Sequence, residues 1–308
     1  MNTALVTGAT GFIGSHLADA LYELGFNVVV SGSGGEADCK HHVMLPSDLR
    51  GLESVGKVDV CFHQAAHNDT TDKDIRRMFA ANCLFSSNLF DRVHAMGCRK
   101  IIYASSASVY GFCKSPQAES MESEPTNPYS RSKDILESVA SGFSEKRNCV
   151  TVGLRYFNVY GQREEHKGRR ASMVYQLCKS ALSGREIEVF KWGEQSRDWV
   201  AVEDVVQANI ACMRCEESNI FNVGSGKSVS INELLDIISN ELGRQVNRKY
   251  VENPFLDSYQ NHTMADISKI SHKVGYAPKV EIKEGVANLI RYIKKSPDII
   301  GGFFQNDL

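Results

Sequence analysis

The sequence predicts an α/β fold, a doubly wound parallel sheet with a smaller, discontinuous C-terminal domain. Two observations carry this: strand-length apolar runs alternate with longer amphipathic stretches, and three glycines sit where the first run meets the first stretch. Short connections and right-handed crossovers make double winding the economical topology.

The alternation runs Ala4–Val6, Ile13–Leu24, Val28–Val30, Val58–Phe62, Ile75–Met96 and Ile101–Tyr103. Uninterrupted apolar strands belong in a sheet covered on both faces. Within Ile75–Met96, residues Phe79, Asn82, Cys83, Ser86, Leu89, Phe90 and Val93 recur at helical spacing, as a core-facing stripe does. From Cys113 to Pro128 the pattern lapses into a polar loop, and a helix starts at Pro128–Tyr129. Val150–Phe157 reads as a strand, and the charged Gln162–Arg170 segment as the exit from the first domain. Helices are expected at Met173–Leu182, Val202–Met213, Ile231–Leu242 and Val286–Ile293, with short strands at Glu188–Phe190 and Ile220–Val223.

At 308 residues and 42% hydrophobic content, the chain can bury a large core. Its 35 Lys and Arg against 37 Asp and Glu leave no basic excess, so neither nucleic acid nor a membrane is an expected partner. The first strand meets glycine at once, leaving no room for a signal peptide, and no apolar run approaches the ~18 residues of a membrane span. A cytoplasmic location is expected. Nine cysteines, an odd number, suit a reducing compartment. Cys212 and Cys215 form a C-x-x-C with no second Cys or His pair nearby, so they read as small helix residues and no metal site is expected.

After the first strand comes Thr7-Gly8-Ala9-Thr10-Gly11-Phe12-Ile13-Gly14. Gly8 permits a tight turn, Gly11 lets backbone approach a pyrophosphate, Gly14 permits close helix–strand packing, and the helix N-terminus favours negative charge. This spacing at a strand–helix junction predicts dinucleotide binding. The second strand, Asn27–Ser31, runs on into Gly32-Ser33-Gly34-Gly35 without the acidic residue that holds an NAD ribose. No carboxylate stands before Glu36 and no arginine is placed for a 2′-phosphate, though Lys40 is near; the cofactor is NAD or NADP, with a slight lean to NADP.

In Asn127-Pro128-Tyr129-Ser130-Arg131-Ser132-Lys133, Tyr129 and Lys133 are four apart on one helix face. A phenol is a poor base at neutral pH, and an adjacent ammonium favours its phenolate. Such a pair is common on helix surfaces by chance. Here Ser105-Ser106-Ala107-Ser108 follows the strand Ile101–Ala104, where a hydroxyl can bond the reacting oxygen while Tyr129 moves a proton and Lys133 grips a nicotinamide ribose.

TGATGFIGSHL, FHQAA (Phe62–Ala66), YASSASVYG, NPYSRSK and RYFNVYG (Arg155–Gly161) together resemble the extended short-chain dehydrogenase/reductases, the NAD-dependent epimerase/dehydratases. RDWVAVEDV (Arg197–Val205) and FNVGSGKSVSINEL (Phe221–Leu234) are similar to the family's downstream motifs. The resemblance implies an enzyme acting on an ADP-, GDP- or UDP-linked sugar, working as a homo-oligomer. It implies a dinucleotide-binding domain over 1–161 with returning segments about 198–230, and a substrate domain over 162–197 and 231–308. Cofactor contacts would fall at Gly8, Thr10, Gly11, Phe12, Ile13, Gly14, Ser31, Gln64, Ala65, Ala66, Asn82, Tyr129 and Lys133, with Asp48 and Leu49 by the adenine. Ser106, four residues before Tyr110, would be the catalytic hydroxyl, and Thr70, Asn158, Ser172, Arg197 and Tyr259 would meet substrate. Arg163, Arg169, Arg170 and Arg197 are candidates to neutralise its diphosphate.

Within the family, Tyr160–Gly168 followed by Ala171-Ser172-Met173 is similar to the R-E-x-H-K-G…A-S segment of ADP-glycero-manno-heptose 6-epimerases, as are Thr70-Thr71 and Tyr259-Gln260. Carried over, Lys167 becomes a second acid/base group opposite Tyr129, which inversion through a carbonyl requires. The chain departs from that group in the missing acid after the second strand and in Ser258, where arginine commonly stands. A 4,6-dehydratase would carry an Asp-Glu pair where Ala107-Ser108 stands. A UDP-hexose 4-epimerase or a nucleotide-sugar dehydrogenase shares every residue but the His166-Lys167-Gly168 segment; a non-catalytic dinucleotide sensor usually lacks the Tyr or Lys present here.

Overall fold

The structure, a computed structural model, describes residues 2–32, 43–254 and 260–295. In chain order the strands are β1 (Thr3–Thr7), β2 (Asn27–Gly32), β3 (Val43–Pro46), β4 (Val60–His63), β5 (Lys100–Ser106), β6 (Val150–Tyr156) and β7 (Asn158–Tyr160). There follow β8 (Ile187–Phe190), β9 (Ser196–Arg197), β10 (Trp199–Ala201), β11 (Asn219–Val223), β12 (Val229–Ser230) and β13 (Arg248–Val251). Seven of them form one parallel sheet in the order β11-β6-β5-β4-β1-β2-β3. The order reverses between β1 and β4, so their carboxyl ends flank the crevice where such sheets bind ligands.

The helices are α1 (Phe12–Glu23), α2 (Ile75–Phe79), α3 (Phe85–Ala95), α4 (Pro128–Arg147), α5 (Met173–Leu182), α6 (Val202–Ala211), α7 (Ile231–Leu242), α8 (Ser268–Val274) and α9 (Ile282–Lys295). Side chains alternate across the strands, and both faces are apolar. Ala4, Val6, Val28, Val30, Phe62 and Ile102 pack with α1 and α6, whereas Leu5, Val29, Cys61, Ile101 and Tyr103 pack with α3 and α4. This two-sided covering is why the strands read as unbroken hydrophobic runs.

Local signals start the key helices. Asn127 and Ser130 make a reciprocal capping box with Pro128 in the first turn of α4, and Ser230 and Glu233 do the same for α7. The expected single helix over Ile75–Met96 is instead α2 and α3 joined by a π turn at Ala80–Leu84. That wider turn carries Asn82, whose carboxamide accepts from His67 N (2.7 Å) and donates to His67 O (2.9 Å) and Ser132 Oγ (2.9 Å). A periodicity of 3.6 cannot report a one-residue insertion made to satisfy such contacts.

A second apolar cluster lies among α5, α7 and α9, where Val174, Leu177, Leu234, Leu235, Ile238, Leu289, Ile290 and Ile293 meet Ile187 and Val189 of β8. No helix among the described residues is long and apolar enough to cross a membrane. Gly285 of α9 faces the Tyr160 hydroxyl so closely that a Cβ there would overlap it, and Tyr160 is 1% exposed. Alanine favours a helix over glycine by ~1 kcal/mol, while overpacking costs roughly 1–3 kcal/mol; the steric cost wins because the Tyr160 ring is buried on every side and cannot withdraw without disturbing its neighbours. Gly285→Ala should therefore lower the urea midpoint, with a net loss of up to about 2 kcal/mol, and an unchanged or raised midpoint would show that α9 can shift.

Candidate active site

The strand ends and the loops after them build the site. At Gly8, with φ +69°, a Cβ would stand 2.7 Å from Ala65 N, so only glycine lets the loop after β1 touch the loop after β4. Gly14 is pressed as tightly on the Gly8 carbonyl. Thr7 ties the two strands, since its Oγ1 meets His63 Nδ1 (2.7 Å) and accepts from Ala65 N (3.2 Å). Gly11 caps α1 without a side-chain hydrogen bond, and no acid stands in the first turn. That leaves the positive helix end to a phosphate.

A cleft of about 780 Å³ opens over this loop. Its lining includes Gly8, Thr10, Gly11, Phe12, Ile13, Gly14, Ser31, Gln64, Ala65 and Ala66, all expected from the sequence. It also includes Gly32, Ser47, His67, Asn68, Arg77, Ala80, Ala81 and Phe85, and, from across the mouth, His166, Lys167 and Arg170. The glycine cradle, the uncapped helix end and the volume fit a dinucleotide. Gly32 leaves room for the Thr10 side chain, which a Cβ there would strike.

Ser106 ends β5 and Tyr129 opens α4, and the Ser106 hydroxyl lies near enough to the phenol to favour its ionised form. Ser106 Oγ also accepts from Ser108 N (3.2 Å) and Ser108 Oγ (2.9 Å). Lys133 is 2% exposed, with Nζ donating to Ala104 O (2.7 Å) and 5.9 Å from the centre of the Tyr129 ring. Burial pulls its pKa down to about 8. The expected depression of Tyr129 by that ammonium does not emerge: burial pushes the phenol up, and only the nearby Ser106 hydroxyl opposes it. Behind them, Glu137 accepts from Ser105 Oγ (2.5 Å) and from Arg155 Nε (2.9 Å) and Nη2 (2.6 Å), a buried pair one turn beyond Lys133.

Other expected residues lie apart from the cleft lining. Leu49 is buried in the core beneath β3 and Asp48 pairs with Arg50 (2.7 Å), so Ser47 takes the wall position. Asn82 acts through His67 rather than by lining the cleft. Thr70 is exposed in the turn before α2. Asn158 Nδ2 donates to Asp198 O (3.2 Å) and Thr263 Oγ1 (3.3 Å), and Arg197 Nη1 donates to Ser196 O (2.9 Å) and Asn261 O (3.1 Å). The Ser172 hydroxyl is committed to Glu164 Oε1 (2.6 Å) and to Tyr175 N. Arg163 pairs with Asp19 (2.8 Å) and Arg169 is exposed, which leaves Arg170 as the expected arginine at the cleft. Tyr259, Ser258, Glu36 and Lys40 lie outside the described residues. The 162–170 segment, read as an exit from the first domain, borders the cleft through His166, Lys167 and Arg170, and His16 Nε2 meets Gln162 O (3.2 Å) while Arg163 reaches Asp19 on α1.

With that geometry in place, the chain belongs to the NAD dependent epimerase/dehydratase family, whose model matches residues 4–224. It is similar to the solved ADP-L-glycero-D-manno-heptose-6-epimerase of Helicobacter pylori, at 35% identity and TM-score 0.85 over 95% of this chain and 96% of that one. The UDP-glucose 4-epimerase of Thermotoga maritima, solved with UDP-glucose, matches at 28% identity and TM-score 0.89 over 96% and 100%. MoeE5, solved with UDP-glucuronic acid and NAD, matches at 27% identity and TM-score 0.86 over 96% and 100%. The cofactor is a nicotinamide adenine dinucleotide.

Lys133 also makes a stability prediction. Its folded pKa of about 8 lies below the ordinary lysine value of 10.5, so between those limits the unfolded chain binds the extra proton and stability rises with pH. The difference between wild type and Lys133→Met in urea unfolding should shift in favour of wild type from pH 8 to 10.5, by up to ~3 kcal/mol. A pH-independent difference would mean that the ammonium is not desolvated.

Proposed function

We propose that this enzyme epimerises a nucleotide-linked sugar by oxidising and re-reducing one carbinol carbon, with an ADP-linked glycero-manno-heptose as substrate and C6 as the centre. The observation that carries it is the gathering of Ser106, Tyr129 and Lys133 where β5 ends and α4 begins, on the same carboxyl side of the parallel sheet as the loops after β1 and β4 that line the cleft. NAD, when bound, accepts the carbinol hydrogen as hydride and gives it back. Tyr129 takes the hydroxyl proton, Ser106 holds the reacting oxygen, and Lys133 anchors the nicotinamide ribose.

Inversion returns the hydrogen to the opposite face, and a second proton carrier must then serve the oxygen. Lys167, on the cleft mouth, is assigned that role. The heptose reading is supported by the Arg163–Gly168 segment and by the relative at 35% identity. The higher TM-score of the UDP-glucose 4-epimerase favours a UDP-hexose as the second reading.

Tyr129→Phe should lower turnover by about 10² to 10⁴-fold while the dinucleotide stays bound, and Lys167→Ala should spare oxidation but stop inversion. Proton NMR of ADP-, GDP- and UDP-linked hexoses and heptoses incubated with each protein checks both the substrate and the roles. Unchanged inversion by Lys167→Ala would remove the second acid/base assignment, and turnover of UDP-hexoses alone would replace the heptose.

A further inference from the structure

A carboxylate shut away from water must be balanced by donors. Glu164 is fully buried and accepts four: Gly161 N (3.2 Å), Lys167 Nζ (2.8 Å), Ser172 N (2.6 Å) and Ser172 Oγ (2.6 Å). The proposed chemistry makes no use of it. Its position is nonetheless specific, between the end of β7 and the cap of α5 and directly behind the cleft mouth.

The consequence falls on Lys167. Its ammonium is fixed from one side by Glu164 and from the other by the Phe12 ring, 4.8 Å from its centre, and Phe12 belongs to the glycine loop. A lysine head on four rotatable bonds samples many positions, and a proton carrier acts only when its atom is within hydrogen-bond reach. We propose that Glu164 is the positioning residue for Lys167, holding Nζ on the cleft mouth in reach of the substrate oxygen, where the ammonium gives its proton to that oxygen on reduction and the neutral amine takes the proton from it on oxidation. This rests on the reading of Lys167 as the second acid/base group.

Three tethers keep the segment in place without Glu164: Arg163 to Asp19, His16 to Gln162 O, and Tyr292 Oη to Glu165 (2.9 Å). Glu164→Gln therefore removes the charge that holds the ammonium without freeing the loop, and its amide oxygen still accepts from Ser172.

The test is single-turnover oxidation of each epimer separately, read by the nicotinamide absorbance of the NAD-loaded enzyme. Glu164→Gln should slow the epimer served by Lys167 by about 10 to 100-fold and the epimer served by Tyr129 by less than threefold. The double variant Glu164→Gln with Lys167→Ala should be no slower than Lys167→Ala, because the two act as one unit. Equal slowing of both epimers would overturn the proposal in favour of a merely structural carboxylate. If Lys167→Ala stops inversion and Glu164→Gln changes nothing, the positioning role fails and the acid/base reading stands. Inversion that survives Lys167→Ala removes both. Should Glu164→Gln not fold, Glu164→Asp, which keeps the charge and shortens its reach, must show the same asymmetry or the proposal falls.

Discussion

The contact between two backbones, Gly8 against Gln64 and Ala65, governs the site. With no Cβ at position 8, the loops after β1 and β4 close on each other at the point where the strand order reverses. The crevice floor is thereby made of peptide groups and a bare helix end, which is what a phosphate can approach. Thr7 and His63 lock the same junction from below, and burial lowers the imidazole pKa to about 3 so that it serves as a neutral hydrogen-bonding strut.

The neighbouring strand end carries a different cost. Burying the Lys133 ammonium behind Tyr129 opposes folding, and the Ala104 carbonyl and Glu137 offset only part of that. Evolution of a stable core would place an apolar side chain here; a charge kept at this depth marks a site arranged for chemistry. The same logic applies to Glu164 and to the Glu137–Arg155 pair, buried charges that fix loop and strand ends around the cleft.

Much of this was legible in the residues, and the reasons differ by element. The helices at Met173–Leu182 and Ile231–Leu242 match their expected bounds because one apolar stripe and one cap define each. The glycine triplet and the Tyr-x-x-x-Lys pair were readable because their spacing is local. Strands β7, β9, β10 and β12, of two or three residues, have no periodicity of their own and exist through their partners. Ser47 and Arg77 could not be assigned to the cleft, since a loop and a helix distant in sequence from the glycine triplet bring them there. The lean to NADP rests on residues 33–42, which lie outside the described residues, whereas the family is NAD-dependent.

The central claim, that one hydrogen leaves a carbinol carbon and returns to it without meeting water, has a direct test. Turnover of the sugar nucleotide in deuterated water, followed by mass and NMR analysis of the product, reports the origin of the hydrogen on the inverted carbon. The account predicts that this carbon keeps its original protium. Solvent deuterium there would contradict hydride return and point to carbanion chemistry instead.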